Sequence, residues 1–379
     1  MIVAEELDAD WTRVRVVQAD YDKKYGDQTT GSSLSVRSSF QPLRQAGAAA
    51  REMLTAAAAA QWNVDPASCR TEQGKVVHEA SGRRAAYGSL AAAAARLPVP
   101  KEPKLKDASA FRILGTPTPR VDTPSKVDGS AVYGLDVRVP GMLYAVVARC
   151  PVFGGEVESV DSAKAKAVPG VRQIVEMPRT EIPDPFSNTA GGEGHQNYLP
   201  AGVAVVADST WAAMRGRDAL AIRWKEGPGA AVSSATVREE LVKAAGTKGT
   251  SSRNDGDVDK VLTEATRKVE AVYEMPFLAH APMEPVNCTA HVTASGCEVW
   301  GPTQVPEGAA GAVASVLKMP MESVNVHVTL LGGGFGRRLC QDYTPVAALV
   351  SKAAGAPVKV MWTREDDIQH DYYRVRSRG

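Results

Sequence analysis

Along Val324-Asn325-Val326-His327-Val328-Thr329-Leu330, apolar and polar residues alternate with the two-residue period of a half-buried strand. From Tyr343 to Ala354 (YTPVAALVSKAA) the spacing becomes helical. Between these segments runs Leu331-Gly332-Gly333-Gly334-Phe335-Gly336-Arg337-Arg338. The same reading predicts strands at 14–17, 131–137, 143–148 and 201–206, and helices at 2–8, 41–62, 162–167, 209–219 and 236–245. The helix at 162–167 is stopped by Pro169-Gly170. Residues 23–33 read as a polar loop, 98–106 (PVPKEPKLK) as a linker, and 225–255 as a connection to the last domain. Residues 183–200 form a glycine- and proline-rich loop without a period, of a kind that faces a partner or moves. Helices and short strands mix without an internal repeat, which is an α+β pattern.

Composition narrows the function classes. A chain of 379 residues accommodates two or three domains, each with its own core. Lys and Arg total 44 against 43 Asp and Glu, a net charge of +1 with the signs interspersed. No bulk attraction to nucleic acid or to an anionic lipid surface follows. No apolar run reaches the roughly 18 residues of a membrane span, and the tract at 56–60 is too short. The N-terminal MIVAEEL reads as the middle of an amphipathic helix and the C-terminal YRVRSRG as an interrupted strand, so a fragment cut at both ends is expected.

Five cysteines, Cys69, Cys150, Cys288, Cys297 and Cys340, are scattered without a C-x-x-C pair. Iron–sulfur clusters and zinc sites need close thiolates, and an odd, widely spaced set argues against a disulfide framework. Cys340 follows the arginines closely and is the one placed for a site role. His280 and His291 lie far apart in sequence and His195 is remote, so no side-chain metal site is expected; a lone His280 reads as hydrogen-bonded structure.

The glycine run carries the chemistry. It leaves main-chain N–H groups bare, able to take positive φ and to touch a ligand, beside two forks of guanidinium donors and ahead of a helix start. The spacing fits neither a P-loop, which closes on Lys-Ser/Thr, nor a dinucleotide fingerprint. A glycine-rich structural turn is the alternative. A second stretch, Thr29-Thr30-Gly31-Ser32-Ser33-Leu34-Ser35, stacks hydroxyls and small residues before a helix; it suits a pyrophosphate or serves as a Ser/Thr capping loop.

GGGFGRR resembles the loop of molybdenum hydroxylase large subunits, the xanthine dehydrogenase and aldehyde oxidase family, and within it the isoquinoline 1-oxidoreductase beta-subunit branch. Gly115-Thr116-Pro117-Thr118-Pro119-Arg120-Val121-Asp122 with Lys126-Val127-Asp128-Gly129 resembles the opening of the family's hammerhead domain, continued by Pro140-Gly141-Met142-Leu143 and Val168-Pro169-Gly170-Val171. Tyr273-Glu274-Met275-Pro276, His280-Ala281-Pro282-Met283-Glu284-Pro285 and Trp300-Gly301-Pro302-Thr303-Gln304 resemble segments entering the molybdopterin site. The order, hydroxyl loop then hammerhead then GGGFG, matches this circularly permuted branch.

The resemblance implies an α+β fold: a permuted molybdopterin-binding part at 1–105, a hammerhead domain at 106–225, and the first part of the molybdopterin-binding domain at 226–379. It implies that Gly333, Gly334, Phe335 and Gly336 line the metal's apical side. Arg337 and Arg338 would anchor phosphate or pterin, or hold the loop through carboxylates such as Asp342. Thr30, Gly31, Ser32, Ser33 and Ser35 would hold the pterin or its dinucleotide tail. The implied cofactor is molybdopterin cytosine dinucleotide, its molybdenum held by the pterin and not by side chains. The implied reaction is hydroxylation of an aldehyde or N-heterocycle with water as oxygen source. Electrons would pass to a small iron–sulfur subunit carrying [2Fe-2S] clusters, with a cytochrome as a further carrier. A periplasmic or membrane-associated complex is expected on the same ground. Xanthine-type members have a glutamate where this chain has Leu339 and a glutamine where it has Leu278, so a purine substrate is not expected. The alternative is a non-catalytic cofactor- or partner-binding subunit of the same fold.

The catalytic base of the family falls beyond Gly379. Residues 1–379 alone, loaded with cofactor, are therefore expected to give no aldehyde- or quinoline-dependent dye reduction; sustained turnover would refute this.

Overall fold

A computed structural model describes residues 1–183, 197–251, 253, 255–375 and 377–378. Two compact units emerge, one of residues 1–19 and 29–131, the other of 20–28 and 132–379. Of the mobile or partner-facing loop expected at 183–200, residues 184–196, His195 among them, lie outside the described residues.

In the first unit a short helix, α1 (Ile2–Glu6), crosses a long one, α2 (Leu34–Trp62). The crossing is close because Gly47 has no side chain: a Cβ there would lie 2.8 Å from Glu6 Cβ. The helix expected over 41–62 begins earlier, at Leu34, and runs through Pro42. An antiparallel meander follows, β1 (Cys69–Glu72), β2 (Lys75–His78) and β3 (Arg83–Ala86), then α3 (Tyr87–Ala94). Leu54, Ala57, Ala58, Val76, Leu90 and Ala94 form the core.

Two expectations fail here. Residues 14–17 form no strand: Val16 and Val17 are exposed and no strand among the described residues pairs beside them, so β propensity goes unused. The segment at 98–106 is no free linker. Lys104 N–H donates to Glu52, Arg51 donates to Lys104 O, and Lys106 reaches Glu5, Glu6 and Asp8.

The second unit is built on β4 (Leu143–Arg149), β5 (Val171–Met177), β6 (Gly202–Ala207), α4 (Thr210–Asp218), β7 (Asn287–Val292), β8 (Cys297–Gly301), α5 (Pro306–Leu317), β9 (Val324–Val328), α6 (Tyr343–Ala354) and β10 (Val358–Met361). Its sheet has the order β9-β8-β7-β10-β4-β6-β5. The β9–β8 and β10–β4 pairs are parallel and the others antiparallel. Alternation along β4 explains the layers. Ala145 and Val147 join the core beneath α5 and α6, whereas Val146 meets Ala212 and Ala213 of α4 on the other face. Covered on both faces, β6 is buried throughout, and its GVAVVA sequence is a continuous apolar run. Residues 20–28 lie against β9, with Tyr21 N–H donating to Val326 O, Lys23 paired to Glu322, and His327 set between Asp20 and Glu298.

The strand expected at 131–137 is replaced by one helical turn at Gly134–Asp136 and a single parallel bridge, Tyr133 to Leu330. Side chains supply what a strand ladder would. Glu284 accepts from Leu135 N–H at 3.0 Å, and Lys359 Nζ donates to Leu135 O at 2.5 Å and Val137 O at 2.6 Å. Burial lowers the Lys359 pKa to about 8. Among the described residues, no helix is long and apolar enough to cross a membrane.

The tightest polar joint of the first unit generates a test. Glu5, 1% exposed, accepts from the amides of Arg112, Ile113 and Leu114 and from Lys106 Nζ. Burial alone would raise its pKa, but those donors outweigh it and hold the carboxyl below the usual glutamate value. Because the folded pKa is depressed, this stability is present above the unfolded pKa and is lost as pH falls through the folded one. Glu5→Gln should cost about 1–3 kcal/mol in urea unfolding at neutral pH. The gap to the unsubstituted protein should narrow as pH drops below about 4.5; a gap constant with pH would contradict the assignment.

Candidate cofactor site at the glycine loop

Beyond β9 the chain turns through Gly332–Gly336 with positive φ at Gly333 (101°), Phe335 (54°) and Gly336 (106°). Glycine is required by contact as well as by conformation. A Cβ at Gly332 would lie 2.3 Å from Glu284 Cβ, and one at Gly334 would lie 2.6 Å from Gln304 Oε1. Phe335 holds a left-handed conformation that costs a side-chain-bearing residue about 1–2 kcal/mol, with its ring near Gly333 and largely exposed. The flanking amides are engaged: Gly332 N–H donates to Glu284 Oε2 at 2.9 Å and Gly336 N–H to Gln304 Oε1 at 3.2 Å. The amides of Gly333, Gly334 and Phe335 between them make no hydrogen bond among the described residues. Successive bare N–H groups in mixed-handed backbone form a concavity for a negatively charged oxygen.

The helix start contributes less than expected. An intervening turn, Arg337–Leu339, separates loop from helix, and α6 begins at a buried Tyr343. Asp342, at the cap position, uses its carboxylate on Arg337. The donors are therefore loop amides.

The arginines also face away from any phosphate. Both are 0% exposed. Arg337 grips Asp342 through two bonds of 2.9 Å, meets Asp371 at 3.0 Å, and lies near the Trp362 and Tyr372 rings. Burial would lower its pKa, but Asp342 and Asp371 outweigh that and keep it firmly protonated. Arg338 donates to Gly333 O at 2.9 Å, Glu284 O at 2.8 Å and Glu284 Oε2 at 3.3 Å. Of the two roles expected for the pair, they hold the loop from behind. Fully buried and paired with carboxylates, both guanidinium groups are turned into the protein interior and not toward solvent.

Sequence reasoning missed three residues that build this wall, Glu284, Gln304 and Asp371. Glu284 accepts from Leu135, Asn287, Gly332 and Arg338. Gln304 receives Gly336. Asp371 accepts from His280 N–H at 2.5 Å and faces His280 Nδ1 at 2.9 Å. Burial raises the Asp371 pKa, but His280 and Arg337 reverse the shift and hold it below the ordinary aspartate value. His280, Glu284 and Gln304 fall within quoted runs, yet only tertiary contact assigns their partners. Cys340 has no site role as a thiolate, because burial pushes its thiol above the ordinary range. Among the described residues, no cluster of His, Cys, Asp or Glu could hold a metal ion.

Thr30, Gly31, Ser32, Ser33 and Ser35 belong to the first unit, whereas Gly333–Arg338 belong to the second. Ser32 (49°) and Ser33 (55°) have positive φ, and Leu34 N–H donates to Gly31 O. Ser33 stands at the cap of α2 without a capping bond from its side chain, and Ser35 lies in the first turn. The hydroxyl-bearing residues Thr30, Ser32, Ser33 and Ser35 are all exposed.

Two substitutions separate shape from function. Gly332→Ala drives a methyl into the Glu284 stem and should cost about 1–3 kcal/mol in thermal unfolding. Gly334→Ala meets only the end of Gln304, so its stability loss should be smaller. Equal losses would contradict the described packing.

Two segments match family models for molybdopterin cofactor-binding domains, residues 1–139 and 242–378. The chain is similar to isoquinoline 1-oxidoreductase subunit beta of Brevundimonas diminuta, 34% identical over 98% of this chain and 51% of that protein. It is also 34% identical to the membrane-bound aldehyde dehydrogenase (pyrroloquinoline-quinone) of Gluconacetobacter polyoxogenes, over 99% of this chain and 48% of that one. The chain thus spans about half the length of the curated relatives it matches. Among solved structures, quinoline 2-oxidoreductase from Pseudomonas putida 86 shares the fold, with TM-score 0.51 and 22% identity over 68% of this chain and 35% of that one.

Proposed function

Because the chain belongs to the molybdenum hydroxylase large-subunit family, we propose that it is the cofactor-holding part of an oxidoreductase acting on an aldehyde or N-heterocycle. The observation that carries this reading is the run of bare amides at Gly333, Gly334 and Phe335, locked at both ends by Glu284 and Gln304. That donor set fits a molybdenum cofactor: it offers N–H groups to an anionic oxygen and leaves metal ligation to the pterin. When bound, the group supplies two-electron oxidation of a carbon centre with water as the oxygen source.

The remaining roles belong to this chain. Gly333, Gly334, Phe335 and Gly336 orient the group at the loop, and Arg337 and Arg338 act through the loop's geometry. Thr30, Gly31, Ser32, Ser33 and Ser35 bind the dinucleotide tail, proposed to be the cytosine form. Each turn falls within a segment that matches a molybdopterin-binding model, residues 1–139 for the first and 242–378 for the second. Residues 106–225 are proposed as the hammerhead segment between the two binding parts, 1–105 and 226–379. An iron–sulfur subunit with [2Fe-2S] clusters accepts the electrons, followed by a cytochrome. Apolar Leu278 and Leu339 favour aldehydes and N-heterocycles over purines. A non-catalytic role is not favoured, since the relatives are oxidoreductases.

Metal and nucleotide analysis of the complex purified from its host tests this. Molybdenum with a released cytidine nucleotide is expected; pyrroloquinoline quinone in place of molybdenum, or neither, would overturn it.

A further inference from the structure

His280 is tethered twice to one carboxylate, by its main-chain N–H and by Nδ1. Asp371 is itself 1% exposed in its side chain and is anchored by Arg337, whose other face holds Asp342. The next residue, Ala281, takes positive φ (41°), so the backbone turns sharply just after the histidine. An imidazole fixed in this way has few orientations left. Its remaining nitrogen, Nε2, has no hydrogen-bond partner among the described residues. That edge faces the glycine loop: a Cβ on Gly336 would lie 3.5 Å from Nε2 and 4.0 Å from Cδ2. The missing side chain at Gly336 therefore keeps open the space in front of Nε2.

We infer that His280 presents Nε2 as a hydrogen-bonding atom to the ligand of the glycine loop, and that Asp371 is the positioning residue that fixes its tautomer. This rests on the cofactor reading of the loop. An ionised Asp371 accepts from Nδ1–H, which leaves the lone pair on Nε2. Nε2 then accepts a proton-bearing group on the bound molecule, beside amides that can only donate. One wall of the site thus offers donors and the other an acceptor, so a ligand with both a negative oxygen and an acidic hydrogen is held in one orientation. A purely structural histidine would need only its Nδ1 side, and Nε2 could then be buried against carbon.

Two isosteric replacements divide the ring in half. His280→Asn retains a donor where Nδ1 stands and deletes the atom facing the loop. His280→Gln carries its amide out to the Nε2 position and drops the bond to Asp371. In the holoenzyme purified with its partners, His280→Asn should lose about a hundredfold in kcat/KM, the scale of a positioned proton-handling group. His280→Gln should recover most of that loss. On the 15N-histidine-labelled protein, NMR should report His280 as the Nδ1–H tautomer, and Asp371→Asn should shift it toward Nε2–H. Rescue by Asn and not by Gln, or an Nε2–H tautomer in the unsubstituted protein, would overturn the inference. Absence of pterin from the unsubstituted holoenzyme would instead overturn the cofactor reading, and this inference with it.

Discussion

The glycine loop depends on one buried carboxylate. Glu284 Oε1 takes Leu135 N–H and Asn287 Nδ2, while Oε2 takes Gly332 N–H and Arg338. Its own N–H and C=O bind Gly332 O and Arg338 in turn. A single side chain thereby joins the 133–137 strap, the start of β7 and the loop. Glutamate is the residue type that can do this, since its ionised form offers only acceptors and accommodates about four donors. The arrangement is also demanding. A buried Arg338 left without its carboxylate would cost about 3–5 kcal/mol, so neither partner can be varied alone.

Charge deeper in the second unit follows the same logic. Asp342, Arg337, Asp371 and His280 follow one another in a chain of ion pairs and hydrogen bonds behind the loop. Arg149 lies 4.1 Å over the Trp362 ring that Arg337 also approaches, and Asp366 pairs with Arg217. Such networks bring little net stability, because desolvation consumes most of the Coulomb gain. What they supply is a single geometry. A loop with several positive φ values would otherwise sample many conformations, and the cation behind each turn restricts it to one.

Much of the fold was legible in the sequence. The helix Tyr343–Ala354 coincides with its predicted span, and β4, β6 and α4 lie within a residue or so of theirs, because local periodicity determines them. The strands at 14–17 and 131–137 fail for complementary reasons. The first has the right residues and no neighbour; the second has neighbours in Glu284 and Lys359, far along the chain, that replace the ladder. Within the site, the glycines were readable since their requirement is local. Glu284, Gln304 and Asp371 were not, because their partners stand 32 to 91 residues away and no spacing rule spans such distances. The two arginines show the limit of residue chemistry alone. A guanidinium beside a glycine loop suits phosphate equally well until burial shows which way it points.

Residues 20–28 leave the first unit, settle on β9 of the second, and return. The chain therefore crosses between the units at 19/20, 28/29 and 131/132, and neither unit is a continuous stretch that could be excised or exchanged whole. During synthesis the first unit can close on itself while this excursion remains looped out, waiting for a docking strand that has not yet been made. Once docked, it lies along the border of the sheet, where an open strand would otherwise recruit a neighbouring molecule. A nine-residue detour thus sets an order of assembly and protects against aggregation.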